Sequence, residues 1–97
     1  MARMPDMTRE SAETVAIQAL GFIAAEPERL GRFLALSGIE VQSLRDAARE
    51  PNFLLGVLDY LAGDDALLQA FASEAGIAPE VMITARNLLA AAPPATG

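Results

Sequence analysis

The side chains able to do chemistry in this chain are carboxylates and guanidiniums, and little else. Thirteen Asp and Glu stand against seven Arg, and there is no Cys, no His and no Lys. Without Cys there is no disulfide, no thiolate nucleophile and no Cys-based zinc site. Without His there is no imidazole base and no common transition-metal ligand, and without Lys no Schiff base can form. What is left is paired-carboxylate chemistry, acid–base or Ca²⁺-binding. The positions of the acids point elsewhere. Glu10, Glu26, Glu28, Glu40, Asp64, Asp65 and Glu80 fall at or near expected helix N-termini, where negative charge is stabilising. The Asp64-Asp65 pair lacks the alternating ligands and bidentate Glu of an EF-hand loop. No catalytic residue, metal ligand or cofactor is expected, and the chain reads as a non-enzyme.

The net charge of −6 argues against nucleic acid or an anionic membrane as partner, since both reward clustered basic residues. One motif pulls the other way. Ala72-x-x-x-Gly76-Ile77 followed by Met82 has the spacing of a helix-turn-helix, and Gly38-Ile39 with Leu44 is a poorer copy. A recognition helix presents its N-terminal residues to the bases. Here that helix begins Pro79-Glu80-Val81-Met82 and carries one base, Arg86, far from its start. A capped corner between two packed helices accounts for the same residues, so DNA binding is kept only as a lesser alternative.

The elements that position these residues come from a repeat. With the sequence slid along itself by 38 residues, Val15–Ala48 lies over Phe53–Arg86. Leu20, Ala24, Leu30, Phe33, Gly38, Ile39 and Ala47 then match Leu58, Ala62, Leu68, Phe71, Gly76, Ile77 and Ala85. Twenty alanines and few β-branched or aromatic residues make the class all-α. Thr8 suits the N-cap of a first helix to about Ala25, Pro27 opens a second that closes at Gly38, and a third covers roughly Glu40–Arg49. Pro51 opens a fourth helix to Ala62, Asp64 caps a fifth that closes at Gly76, and Pro79 opens a sixth to about Ala91.

Two such copies are too few for an open solenoid, so the expectation is a compact six-helix bundle of two three-helix repeats. Residues 7–92 form the single domain, between a disordered tail 1–6 and a flexible tail 93–97. The run Phe53–Leu61 is apolar almost all round, which marks a central helix. Leu20, Leu30, Phe33, Ile39 and Leu44, with their matches Leu58, Leu68, Phe71, Ile77 and Met82, are expected in the core. The polar start Met1–Glu10 lacks an apolar signal core. The longest apolar stretch, Val15–Ala25, is broken by Gln18 and Gly21 and too short to span a bilayer. A soluble cytoplasmic protein is expected.

The copies also differ. Arg29, Arg32 and Arg45 in the first match Leu67, Ala70 and Ile83 in the second, and Arg49 matches Asn87. The arginines could be an ordinary solvated face with Glu28–Arg32 and Asp46–Arg49 helix pairs, each worth about 0.2–0.5 kcal/mol. They could instead mark a contact surface, Leu67 and Ile83 touching a protein partner or second subunit while Arg29, Arg32, Arg45 and Arg49 meet its acidic groups. Both readings are open at this point.

The run Glu26–Gly38, the stretch Pro51-x-Phe53-Leu54-x-x-Val57-Leu58-Asp59 and the stretch Leu67-Leu68-x-x-Phe71-Ala72 resemble a family of small alphaproteobacterial proteins known only as a domain of unknown function. The resemblance spans Met7 to about Leu89 and implies a cytoplasmic all-helical protein, with no activity, cofactor or site to carry over. The leading expectation is a small non-enzymatic interaction or regulatory adaptor module, with an unidentified protein partner or as a homodimer. The alternatives are an apolar small-molecule binder between the two repeats and, with less support, a helix-turn-helix DNA-binding protein.

Overall fold

The computed structural model describes residues 7–91. The expected tails 1–6 and 93–97 lie outside the described residues. Local signals set most helix boundaries. Helix α1, Arg9–Ala24, starts where the Thr8 side chain accepts a hydrogen bond from the Ser11 backbone N–H at 3.0 Å. Helix α2, Pro27–Ser37, has Pro in its first turn, where a missing N–H costs nothing. It ends at Gly38 in the left-handed region, φ 73°. Helices α4, Pro51–Ala62, and α6, Pro79–Ala90, likewise open on Pro. Helix α5, Asp65–Ala75, is capped by the Asp64 carboxylate accepting from the Leu67 N–H at 3.2 Å, and ends at Gly76, φ 70°. There the Ile77 N–H also reaches back to the Ala72 carbonyl at 3.0 Å, the paired closure of a helix that stops on Gly-Ile.

One helix differs from expectation. Instead of a helix over Glu40–Arg49, a 3₁₀ turn at Val41–Ser43 runs into a single α-turn, α3, Leu44–Ala47. None of its residues is fully buried, and a helix this short has little besides packing to hold it. Glu40 opens the segment without a side-chain cap, and the corresponding helix α6 has Pro in its first turn where this one has none.

The core is built by α1, α4 and α6. Helix α6 packs most extensively against α1 and α4, which also pack against each other, while α2 flanks α1 and α5 flanks α4. From α1 the small residues Ala12, Ala16 and Ala19 are buried with Val15, Phe22 and Ile23, and this spacing gives one inward stripe. Helix α4 is central, as its composition predicts, and buries Leu54, Val57, Leu58 and Leu61. Among the described residues no polar or charged residue is buried, and none of the helices is long and apolar enough to cross a membrane.

The expected core is half corrected. Phe33, Leu58, Leu68, Phe71 and Met82 are buried, but Leu20, Leu30, Ile39, Leu44 and Ile77 are only half-buried. The reason is positional: α6 packs against both α1 and α4, whereas the segment around Leu44 stays at the edge of the bundle. The stretch of α1 before Leu20 fills much of the space instead.

The two left-handed glycines give a first prediction. Nothing lies within 4 Å of a Cβ added at Gly38 or Gly76, so an alanine there would meet backbone strain alone. Each of Gly38→Ala and Gly76→Ala is expected to cost about 1–2 kcal/mol, read as a lowered urea midpoint. Midpoints equal to wild type would show that the left-handed turns are not required.

Candidate functional site

Among the described residues, two of the surface grooves are each formed by one central and one flanking helix. The first, about 310 Å³, lies between α1 and α5 and is lined by Gln18, Gly21, Phe22 and Ala25 on one side and Phe71, Glu74 and Ala75 on the other. Phe22 and Phe71 close its floor with ring centroids 5.5 Å apart. The second, about 290 Å³, lies between α2 and α4 and is lined by Phe33, Leu36, Ser37 and Ile39 against Asn52, Phe53, Gly56 and Tyr60. The Phe33 ring stands edge-on to both Phe53 and Tyr60, at 5.8 and 5.2 Å.

The α2/α4 groove is the apolar one and the stronger candidate. Helix α4 carries two apolar stripes. Leu54, Val57, Leu58 and Leu61 face the core, and Phe53, Gly56 and Tyr60, three and four residues apart, face the groove. Gly56 keeps the floor low, since a Cβ there would have no neighbour within 4 Å. At the lip Leu36 is 72% exposed, and Val41, in the connection that follows α2, is 56% exposed. Leu36 is the most exposed large apolar side chain among the described residues, and it stands beside an aromatic-lined groove.

The arginines singled out from the sequence divide into two groups. Arg29 is not a free surface residue. Its guanidinium lies 3.8 Å from the centroid of the Phe22 ring and donates to the Phe22 carbonyl at 3.0 Å. It therefore helps close the α1 C-terminus, a contact favoured by both cation–π attraction and the helix dipole. Its Nε is buried with no partner. Arg32, Arg45 and Arg49 are exposed, and their guanidinium groups make no hydrogen bond or ion pair among the described residues. The Glu28–Arg32 and Asp46–Arg49 pairs are not formed; the ion pair among the described residues joins Arg86 to Asp59. The other two described arginines are also engaged: Arg9 donates to the Leu88 and Ala91 carbonyls, and Arg86 also reaches Asn87.

Of the apolar residues singled out, Leu67 is half-buried and packed against the core, while Ile83 is 38% exposed on α6. Leu67 and Ile83 do not line either groove. The groove residues Leu36, Phe53, Gly56 and Tyr60 were not singled out from the sequence, although a glycine inside the apolar run Phe53–Leu61 is the one signal there that a helix face stays open. Met82, Ala85 and Leu89 of α6 are buried and its Arg86 is tied to Asp59, while Glu80, Ile83, Thr84 and Asn87 are exposed on its outer face. Among the described residues no group of three or more carboxylates is placed to hold a metal ion.

Fold and surface together define a small all-helical bundle with an apolar groove on its flank. The chain belongs to the family of proteins of unknown function DUF3572, which it matches over residues 9–92. Comparison with curated proteins and with solved structures finds no match.

Proposed function

We propose that this protein is a small, non-enzymatic, cytoplasmic interaction module that binds a protein partner through the α2/α4 groove. The observation that carries this reading is Leu36, 72% exposed at the lip of a groove floored by Phe33, Phe53 and Tyr60. The lack of Cys, His and Lys supports a binding rather than a chemical role. The volume, about 290 Å³, falls just below the roughly 300–1,000 Å³ typical of small-molecule sites. That favours a few side chains of a protein over a free ligand. The net charge of −6 and the acidic start of α6, where Glu80 is exposed, weigh against the DNA-binding alternative. A home among alphaproteobacterial proteins rests on the sequence resemblance.

We further infer that the bundle consists of two similar halves that exchange partners. Three coincidences support it. Gly38 and Gly76, 38 residues apart, are the two glycines with positive φ among the described residues. Phe22 pairs with Phe71, and moving each by that offset in opposite directions gives Tyr60 and Phe33, which also pair. The same exchange carries the Gln18, Phe22, Phe71, Glu74 and Ala75 positions of one groove onto Gly56, Tyr60, Phe33, Leu36 and Ser37 of the other. In this reading the two grooves are one design used twice. In the α2/α4 copy Gly replaces Gln and Leu replaces Glu, which makes that copy the sticky one.

The experiment is a tagged pull-down from lysate of the source organism with wild type and Leu36→Asp side by side. Proteins captured by wild type and lost from the variant, with unchanged circular dichroism, are expected. Identical eluates would rule out the groove as the binding surface. A small molecule retained by wild type in native mass spectrometry would favour the ligand-binding alternative.

A further inference from the structure

The connection Ile39–Glu50, between α2 and α4, is held differently from the rest of the chain. Among the described residues, its 3₁₀ turn and α3 pack extensively against none of the longer helices. Ile39, Leu44, Ala47 and Ala48 are half-buried, and the other residues of the segment are exposed. Its backbone N–H groups bond within the segment. Ser43 donates to the Glu40 carbonyl, Ala48 to Leu44 and Glu50 to Ala47, each at 2.9 Å, and Arg49 donates to Asp46 at 3.1 Å. Such bonds stabilise the turns without tying them to the bundle. Local hydrogen bonds and few buried apolar contacts mark segments that open well below the global unfolding free energy.

Both ends of the segment are insulated from the helices beside it. Gly38, φ 73°, ends α2 with its N–H on the Leu34 carbonyl at 2.9 Å. At the corner after α5, Ile77 adds a second bond to the Ala72 carbonyl; the matching bond from the Ile39 N–H to Leu34 is absent among the described residues. At the other end Glu50 is extended, φ −94° and ψ 122°, ahead of Pro51. A residue before proline resists the helical region, so α4 does not grow into the segment. Ile39 lines the α2/α4 groove, and so does Asn52, two residues past the segment. The segment therefore leaves and rejoins the bundle at that groove.

We propose that Ile39–Glu50 is a strap that lifts off the folded bundle as one cooperative unit. The α2/α4 groove then has a closed form, with Ile39 seated in it, and an open form without Ile39. The lifting is a property of the free protein; only its bearing on binding rests on the reading of the groove as a contact surface. A guest that takes the place of Ile39 shifts the strap toward the open form, by its difference in affinity for the two forms.

The test is native-state hydrogen exchange on the free protein over a series of urea concentrations below the unfolding transition. The Ser43, Leu44, Ala48, Arg49 and Glu50 amides are expected to share one opening free energy with a shallow urea slope. Their protection should lie about a hundredfold or more below that of Val57, Leu58 and Ala85, which exchange through global unfolding. Met82→Ala should lower protection in the core and leave the strap unchanged, since Met82 stays buried when the strap lifts. Should that variant not fold, the urea series on wild type decides alone. Val41→Pro suits the local backbone. The Val41 N–H has no backbone partner among the described residues, Glu40 before it is extended, and α6 has Pro79 in its first turn. It should raise protection across the strap about two- to fivefold by restricting the open form. Ile39→Ala, which weakens the strap's grip in the groove, should lower it about fivefold. Four results would each overturn the proposal. Strap amides that match the core in free energy and slope, or fall with it in Met82→Ala, would make the strap part of the global unit. Separate, urea-independent values at each amide would reduce it to fraying. A Val41→Pro effect confined to Ser43 would do the same. Strap protection indifferent to Ile39→Ala would disconnect the strap from the groove.

Discussion

Phe71→Ala is expected to lower the unfolding free energy by about 3–5 kcal/mol, the usual range for a large aromatic removed from a core. The ring is 2% exposed and tilted against Phe22 at 5.5 Å. An aromatic pair of this kind adds about 0.5–1.5 kcal/mol to the effect of area alone. For a domain with roughly 5–15 kcal/mol in total, the variant would sit near the edge of folding. Phe33→Ala removes the matching ring, buried against Phe53 and Tyr60, and should fall at the lower end of the same range because the void opens to the groove. Urea denaturation at constant slope measures both. A Phe71→Ala midpoint like that of wild type would take the ring out of the core.

The second large effect is a contrast. Met82→Ala should cost about 2–5 kcal/mol, whereas Leu44→Ala, at the position 38 residues earlier, should cost about 1 kcal/mol or less. Met82 is fully buried on α6, which packs against α1 and α4, while Leu44 opens the single-turn α3 and is half-buried at the edge. Equal losses at the two sites would mean that the Leu44 segment is held far more firmly than its packing implies. The same experiment reports how much of the stability lies in α6 and how much in the α3 segment.

These residues also separate what the sequence carries from what it does not. Helix limits were legible because their signals are local: Thr8 and Asp64 as caps, Pro27, Pro51 and Pro79 in first turns, and Gly38 and Gly76 as left-handed stops. The overextended third helix had no such support. Its Arg45, Asp46 and Arg49 are exposed, its inward residues are few, and no proline fixes its start. The first-half core residues were overcounted for a related reason: likeness between copies says that two positions correspond, not that each finds a neighbour to cover it. The groove was hidden by composition. An apolar α4 reads as central, and that reading does not separate the stripe that meets α1 and α6 from the stripe of Phe53, Gly56 and Tyr60 that meets solvent. Arg29 was misread as free because its partner, Phe22, lies across a helix corner seven residues away.

The packing of α6 against α1 and α4 has a consequence for how the protein is made. Helix α1 finds its most extensive partner in α6, the most distant helix along the described residues, and Arg9 at its start reaches the carbonyls of Leu88 and Ala91. Until Pro79–Ala90 has emerged, the nascent chain presents Phe22, Ile23, Leu58 and Leu61 with the core still open on one side. Domains generally fold as units during synthesis. Here the unit closes only once α6 is available, so a chain synthesised as far as α5 still exposes the apolar surface that α6 covers.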